Sequence, residues 1–307
     1  MKGRKFLVAG LALASITSFA QTGYKYRDAN GQWVYTDRAP SSAAQADTFN
    51  LVHENTELHI AVDREDGPES TQLIAVNDCI CTVTFTVTVA QSGDPAIPGG
   101  ANYRATLDAG TRRTLVQVQR SGSGDAGLKY RWYAALGSPD AVHNPTSPYR
   151  VPFSIGSTYT ISQAYPSRIT HVTPDSQFAV DIALPDGTPI YAAREGTVII
   201  ARHDFFRDAL APVMMDQANV IEILHGDGTI AMYAHLHWDS IRVHIGDRVV
   251  RGQYIADSGN TGFTSGPHLH FAVLRNAGGV SVSVPILFAG GGGIAITPAT
   301  GMALTAY

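Results

Sequence analysis

The 307-residue chain has little of two residue classes: there are only 2 cysteines, and charged residues make up only 16% of it. Two cysteines cannot form the several-bridge framework of a small disulfide-rich scaffold. The 22 basic side chains are outnumbered by 26 acidic ones, which argues against a nucleic-acid binder. A hydrophobic content of 44% excludes a disordered chain and permits a sizeable core. Abundant Gly, Thr and Val favour a mostly β protein, and the length predicts about two domains.

The two cysteines, Cys79 and Cys81, are one residue apart in a strand-like run. Residues i and i+2 of a strand point to the same face, but bridging them would strain the backbone and the disulfide. We therefore predict two packed thiols. A strained bridge and a pair that faces another chain are the alternatives.

The first twenty residues have the features of a secretory signal peptide. Three basic residues are followed by an apolar run over 6–14, and the small residues Ser18 and Ala20 fit cleavage before Gln21. An N-terminal membrane anchor is the alternative, but the apolar run is shorter than the ~20 residues that a span requires. We predict a secreted or periplasmic protein, with no transmembrane segment after removal of the signal.

Residues 22–45 are predicted to form a small hairpin module. Asn30-Gly31 is a strong turn signal, and aromatic residues alternate with polar ones on both sides of it. The stretch resembles a small domain of unknown function found at the N-terminus of many proteobacterial envelope proteins. The likeness covers fewer than about twenty residues and implies no activity, so a plain surface hairpin explains the stretch equally well.

Residues 50–150 are predicted to form a β-sandwich domain, immunoglobulin-like in type. Apolar and polar residues alternate over 82–89 and, more loosely, over 103–107 and 114–118, with turn clusters at 92–95 and 121–125. No side chains in this stretch have the spacing of a catalytic or metal site. We expect a spacer or binding module.

Histidine, aspartate and glycine become frequent from residue 151 onward, and three elements there carry candidate chemistry. The first is Gly-Pro-His-Leu-His-Phe over 266–271, which follows a glycine-rich turn and leads into an apolar run. On a strand, His268 and His270 would share a face at a distance of about 6–7 Å. One imidazole could then bind a metal while the other addresses the substrate.

The second element, Tyr-Ala-His-Leu over 233–236, ends a predicted hairpin whose turn is 225–228. His235 would therefore lie at a strand end, with His237 as the alternative occupant of that position. The third element is Asp181 within the apolar strand 178–183. A buried carboxylate is costly unless it is paired or binds a metal, although a hydrogen-bonded turn would also account for it.

Together these elements resemble the lysostaphin-type (LytM-type) zinc endopeptidases that cut peptidoglycan cross-bridges. The resemblance covers about residues 155–285 and rests on three motifs in order: Val-Asp followed by Gly-Thr-Pro and Ala-Ala over 180–193, Tyr-x-His-Leu over 233–236, and Gly-Pro-His-Leu-His-Phe over 266–271. It implies a compact, mostly antiparallel β domain with an open groove that holds Zn²⁺.

Carried over residue by residue, the resemblance implies that Asp181 and His270 are two of three metal ligands. It implies that His268 lies beside the metal-bound water and that His235 is its catalytic partner, placed to stabilise the oxyanion. Independently of the resemblance, N and O ligands suit zinc, and histidine handles protons near neutral pH.

One position departs from the family pattern. The family has its first metal ligand, a histidine, four residues before the aspartate, and this chain has Gln177 there. We predict that His171 replaces it, because the turn-forming stretch 173–176 could fold His171 back over the strand. The alternatives are a contact through Gln177 or water, and an incomplete, inactive site.

The leading hypothesis is a zinc metalloendopeptidase of the cell envelope that acts on peptidoglycan peptides, with no nucleic-acid partner. The alternative is a catalytically inactive member that binds the cell wall or regulates another hydrolase. The predicted domains are the signal peptide 1–20, the hairpin module 22–45, the β-sandwich 50–150, the metallopeptidase domain 151–288 and a loose glycine-rich tail 289–307. A last strand is expected over 281–288.

Overall fold

A computed structural model describes residues 21–27, 33–36, 47–51, 58–120, 127–167, 169–205, 214 and 217–307. The predicted signal peptide lies outside these residues. The chain divides into two compact units, Met1–Glu57 and Leu58–Tyr307. Among the described residues, no helix is both long and apolar enough to cross a membrane.

The first unit contains a three-stranded antiparallel sheet in the order β2-β1-β3. Its strands are β1 (Gln21–Arg27), β2 (Trp33–Thr36) and β3 (Asp47–Leu51). The predicted hairpin is confirmed by the pairing of β1 with β2, while its Asn30-Gly31 turn lies outside the described residues. The third strand was not predicted.

The second unit begins with two three-stranded antiparallel sheets, in the orders β4-β5-β8 and β7-β6-β9. Their strands are β4 (Ile60–Asp66), β5 (Ser70–Asn77), β6 (Val83–Gln91), β7 (Asn102–Leu107), β8 (Thr111–Gln119) and β9 (Lys129–Leu136). The alternation that predicted β6 has its expected effect, because Val83, Phe85, Val87 and Val89 are all fully buried. The predicted strands correspond to β6, β7 and β8, whereas β4, β5 and β9 were not predicted, and an immunoglobulin-like arrangement is not confirmed.

The prediction of free thiols was wrong, because Cys79 and Cys81 form a disulfide. The prediction assumed an extended strand, but β5 ends at Asn77 and β6 begins at Val83, so both cysteines lie in the bend between the strands. The bend brings their Cα atoms to 5.1 Å, within the range that a disulfide requires.

The rest of the second unit is built on a nine-stranded sheet. Eight of its strands follow the order β16-β13-β14-β15-β18-β11-β10-β22, and β19 pairs with β18. The strands are β10 (Thr158–Gln163), β11 (Val180–Ile182), β13 (Gly196–Arg202), β14 (Val220–Leu224), β15 (Ile230–Ala234), β16 (Arg248–Val249), β18 (Leu269–Asn276), β19 (Ser281–Ser283) and β22 (Ala303–Thr305). All neighbouring pairs are antiparallel, which confirms the mostly β, antiparallel fold.

Two short antiparallel ribbons accompany this sheet. They pair β12 (Pro189–Tyr191) with β17 (Tyr254–Asp257) and β20 (Phe288–Ala289) with β21 (Ala295–Ile296). A 3₁₀ turn, Gly291–Gly293, separates β20 from β21.

The nine-stranded sheet is covered by apolar side chains on both faces. Phe271 belongs to a core cluster that also contains Phe153 and Ile221. The next residue of β18, Ala272, points to the opposite face and joins Leu73 and Phe85 of the upstream sheets in a second cluster. Each fully buried Phe, Leu or Ile contributes about 1.5–3 kcal/mol to folding. The upstream sheets therefore share a core with the sheet that carries the histidines.

A buried amide adds hydrogen bonds to this shared core. Asn276, the last residue of β18, is fully buried. Its Nδ2 lies 2.8 Å from the Thr84 hydroxyl and 2.8 Å from the Gly137 carbonyl oxygen, both in the upstream part of the unit. One end of β18 is thereby fixed by the upstream sheets.

The C-terminal residues do not form the loose tail that was predicted. β22 pairs with β10 at the edge of the nine-stranded sheet, and Leu304 and Ala306 are buried in its core. Alternating inward side chains anchor this segment despite its many glycines. The predicted strand 281–288 is also divided, since β19 ends at Ser283, shortly before Pro285, and β20 begins at Phe288.

Candidate active site

Two of the predicted metal ligands are neighbours across two paired strands. β11 pairs with β18, and the register places Asp181 directly opposite His270. The Nδ1 atom of His270 lies 2.8 Å from Oδ1 of Asp181. Backbone pairing in the sheet therefore fixes this contact.

The third predicted ligand, His171, comes from an irregular segment. The predicted turn is present: the Ser176 amide donates to the Thr173 carbonyl at 3.1 Å, and the two hydroxyls are 2.7 Å apart. This turn, which follows His171, folds the chain back so that the His171 imidazole contacts β11. The imidazole is only 3% exposed. His171 Nε2 lies 3.1 Å from Asp181 Oδ2, and the His171 and His270 ring centroids are 5.1 Å apart.

The His171 imidazole is buried without hydrogen bonds. Its Nε2 contact with Asp181 is within ion-pair distance but is not aligned as a hydrogen bond, and neither ring nitrogen has a hydrogen-bond partner among the described residues. Leaving such groups unpaired costs about 1–3 kcal/mol, so they are rare in native proteins. A metal ion would satisfy one of these nitrogens.

The three side chains have the composition and the proximity of a metal site. His171, Asp181 and His270 each offer one ligand atom, and these atoms lie within 4.8 Å of one another. Two imidazoles and one carboxylate, with a fourth position left for water, are typical of catalytic zinc. The residues present therefore fit a zinc ion. Gln177, which stands at the family's usual ligand position, lies half-buried in the turn that leads to β11.

The charge state of Asp181 also suits a ligand. Burial alone would raise the pKa of this carboxyl, but the His171 and His270 imidazoles that lie against its two oxygens outweigh burial and hold the pKa well below its usual value. Asp181 is therefore ionised at neutral pH, as a metal ligand must be.

The two predicted catalytic histidines lie beside this cluster. His268 Nε2 is 3.9 Å from Asp181 Oδ1. The His235 ring lies 4.5 Å from that of His268 and 6.0 Å from that of His270, measured between centroids. The structure thus brings all five predicted side chains together. His237, the alternative to His235, has its ring 6.0 Å from Trp238.

His235 directly follows β15 and adopts a left-handed backbone conformation, with φ of 63°. Burial, together with the charges of His268 and His270, lowers the pKa of His235 to about 3. The ring is therefore neutral at neutral pH. Its Nδ1 lies 2.7 Å from the Thr261 carbonyl oxygen.

The sequence did not identify two threonines that surround these histidines. Thr261 and Thr264 are both buried. The Thr261 carbonyl oxygen accepts a hydrogen bond from His235, and the Thr264 hydroxyl lies within hydrogen-bond distance of His268 Nδ1. The only signal was their position in the glycine-rich stretch before the His-x-His motif. A sequence pattern does not show which hydroxyl or carbonyl will face an imidazole.

Comparison with known families matches two parts of the chain. Residues 175–282 match the model of peptidase family M23. Residues 10–58 match a domain of unknown function, DUF4124, which agrees with the resemblance seen for the N-terminal hairpin. The M23 match includes Asp181, His235, His268 and His270 and begins after His171.

Several curated proteins are similar to part of this chain. Peptidoglycan DD-endopeptidase ShyA of Vibrio cholerae is 31% identical over 142 residues, which are 44% of this chain and 30% of that protein. Glycyl-glycine endopeptidase ALE-1 of Staphylococcus capitis is 30% identical over 102 residues, or 33% of this chain and 25% of that protein. The chain thus spans about a third or less of the length of these relatives.

Among solved structures, the catalytic domain of lysostaphin from Staphylococcus simulans is 29% identical, with coverage of 40% of this chain and 81% of that one and a TM-score of 0.28. The family match and the curated relatives confirm the resemblance that the three sequence motifs suggested. Over residues 175–282 the chain is therefore similar to peptidase family M23.

Proposed function

We propose that the protein is a secreted or periplasmic zinc metalloendopeptidase that hydrolyses peptide cross-links of peptidoglycan. The observation that carries this proposal is the convergence of His171, His268 and His270 on the single carboxylate of Asp181. Relatives named as peptidoglycan endopeptidases support the substrate class. The signal-like sequence of residues 1–20 supports a location where such a substrate is found.

His171, Asp181 and His270 would hold the zinc ion. When bound, zinc would polarise the scissile carbonyl and lower the pKa of a water molecule toward ~7. His171 is a better ligand than the Gln177 amide because neutral imidazole is a stronger donor to zinc than an amide oxygen. The domain would then retain a three-ligand site despite the departure from the family pattern.

His268 is assigned as the residue that moves the proton. Its Nδ1 lies 2.9 Å from the Gly266 carbonyl oxygen, so in the neutral ring the proton is on Nδ1 and the lone pair is on Nε2. Nε2 is the atom that faces Asp181. It can accept the proton of the attacking water and deliver it to the nitrogen of the departing amine as the peptide bond breaks.

His235 is assigned a modified role. The sequence suggested that it would stabilise the oxyanion, which requires a proton on the nitrogen that faces the substrate. In the neutral ring, however, the proton is on Nδ1 and is donated to the Thr261 carbonyl. We therefore assign His235 Nε2 to accepting a hydrogen bond from the attacking water and so orienting it.

The test is to purify the protein without residues 1–20 and measure zinc by elemental analysis and new amino termini released from sacculi. We expect one zinc per chain and a steady release of new amino termini from the sacculi. His268→Ala and His235→Ala should retain zinc and lose hydrolysis by about 10²–10⁴-fold, the usual range for a residue that handles protons. His237→Ala is the control and should retain activity. Zinc-loaded wild-type protein that releases no amino termini would favour the inactive, wall-binding alternative.

A further inference from the structure

One short segment, residues 259–268, supplies the acceptors for both catalytic histidines. His235 Nδ1 lies 2.7 Å from the Thr261 carbonyl oxygen, and His268 Nδ1 lies 2.9 Å from the Gly266 carbonyl oxygen. A carbonyl oxygen only accepts hydrogen bonds, so the proton of each neutral ring must be on Nδ1. The segment therefore selects the same tautomer for both rings and leaves both Nε2 atoms as acceptors.

Thr261 holds the backbone around His235 as well as its ring. The Thr261 hydroxyl donates to the Leu236 carbonyl at 3.0 Å and accepts from the Asn219 amide at 3.1 Å. The fully buried Asn219 side chain also donates to the Leu236 carbonyl, at 3.1 Å. The residue after His235 is thus fixed by two buried groups, and one of them carries the carbonyl that orients the imidazole.

The backbone conformation of His235 shows why such support is required. A left-handed φ is uncommon for histidine and persists only where the surroundings enforce it. The Gly259 amide donates to the His235 carbonyl at 3.0 Å. A Cβ atom on Gly259 would lie 2.5 Å from the His237 amide nitrogen, so the segment packs closely against the backbone after His235.

Thr264 has a corresponding position beside His268. Its hydroxyl oxygen is 2.8 Å from the Gly266 carbonyl oxygen and 3.2 Å from His268 Nδ1. It also accepts from the Gly266 amide at 3.2 Å. The Thr264 hydroxyl, which is buried, therefore fixes the peptide groups of Gly266, including the carbonyl to which His268 donates.

We propose that Thr261 and Thr264 are positioning residues that fix the Nδ1–H tautomers of His235 and His268, so that in each neutral ring Nε2 is the nitrogen left to accept a proton or a hydrogen bond. This inference rests on the proposed function, because it concerns the same two histidines. A ring in the other tautomer would present an N–H to the attacking water and could not accept its proton. The threonines act through the histidines and do not need to touch the substrate.

The experiment compares Thr261→Val with Thr261→Ser, and Thr264→Val with Thr264→Ser. Valine keeps the shape of threonine and removes the hydroxyl, whereas serine keeps the hydroxyl. The readouts on the zinc-loaded full chain are zinc content, the tautomers of His235 and His268 in long-range ¹H–¹⁵N spectra, and kcat and KM on a soluble cross-linked peptide. Thr158→Val, on the exposed part of β10, is the control.

We expect both valine variants to retain zinc, to keep KM within about twofold, and to lose about 10–100-fold in kcat, the usual cost of removing an orienting partner. The affected histidine should show a mixture of tautomers. The serine variants should recover most of kcat and the wild-type spectra. A valine variant that retains a pure Nδ1–H tautomer would overturn the proposal for that threonine.

This design separates the inference from the proposed function. If the wild type hydrolyses no peptide, the proposed function fails, but the spectra still decide whether the threonines fix the tautomers. If Thr261→Val does not fold, Thr264→Val tests the same idea on a different carbonyl. Unchanged spectra and unchanged kcat in that variant would overturn the inference.

Discussion

Two regions of the molecule place an aspartate beside buried histidines, and only one of them suits a metal. Asp181 faces the imidazoles of His171 and His270. Asp227, in the turn between β14 and β15, lies near His225, but its oxygens are already occupied by Arg194 at 2.7 Å and by the Thr229 hydroxyl at 2.6 Å. The same residue types thus form a candidate metal centre in one place and a saturated structural cluster in the other.

The two regions differ in the groups that surround the aspartate and not in the aspartate itself. Burial would raise the pKa of each aspartate, and in each case hydrogen bonds outweigh burial and lower it. Asp227 also accepts from two backbone amides, those of Asn144 at 3.0 Å and Thr229 at 3.1 Å. Arg194 and these N–H groups cannot bind a cation, whereas the imidazoles around Asp181 can. The identity of the partners therefore distinguishes the two regions.

The largest expected effect is the loss of metal from one region. His171→Ala should weaken zinc binding by about 100-fold or more, because it removes a ligand and not merely an outer partner. Gln177→Ala should bind zinc nearly as the wild type does. Competition with a coloured chelator measures both affinities. Full affinity in the His171 variant, or loss in the Gln177 variant, would reverse the assignment of the third ligand.

The sequence predicted the parts of this site that strands position and one part, His171, that a recognisable turn positions. Asp181 and His270 follow from two strands whose register pairs them, and an alternating apolar pattern indicates such strands. His171 could be inferred because turn residues follow it and no other histidine lies close before Asp181. The orienting carbonyls of Thr261 and Gly266 could not be inferred from the sequence, since their positions depend on the path of an irregular segment.

The same limit applies to the fold. The strands 82–89 and 103–107 were visible as alternating runs, but their shared core with β18 joins residues far apart in sequence. Asn276 contacts Thr84 across 192 positions, and no local pattern indicates such a pair. The C-terminal segment was misjudged for the same reason, because Leu304 is buried only through the pairing of β22 with β10.

The second prediction compares the replacement of each of the two aspartates by asparagine. Asp227→Asn should lower the free energy of unfolding by about 2–4 kcal/mol, because it leaves the nearly buried Arg194 guanidinium with only the more distant Glu195 carboxylate, at 3.8 Å, as an anionic partner. Zinc content should be unchanged. Asp181→Asn, in contrast, should lose zinc. Urea unfolding and elemental analysis of both variants provide the test, and zinc loss in the Asp227 variant would contradict the distinction between the regions.

The expected effect that is smallest at mildly acidic pH is a pH dependence of stability in the region around Asp227. His225 is buried, its Nδ1 lies 2.7 Å from the Glu195 carbonyl oxygen, and its Nε2 has no hydrogen-bond partner among the described residues. Burial lowers the pKa of His225 to about 4, although the Nδ1 hydrogen bond and the nearby Asp227 act in the other direction. The folded protein therefore holds this ring neutral at pH values where the unfolded chain protonates it.

Since the unfolded chain binds more protons between the two pKa values, stability should fall as pH is lowered from about 6.5 to about 4. The loss from this group should be roughly 1 kcal/mol at pH 5.5 and about 3 kcal/mol near pH 4. His225→Asn retains a donor close to the position of Nδ1 but cannot titrate, so its stability should fall less steeply over this range. Urea unfolding of both proteins at several pH values, with a chelator present to remove the contribution of the metal ligands, measures the difference. Parallel curves for the wild type and the variant would show that His225 titrates alike in the folded and unfolded states, and that burial in this region does not hold the ring neutral.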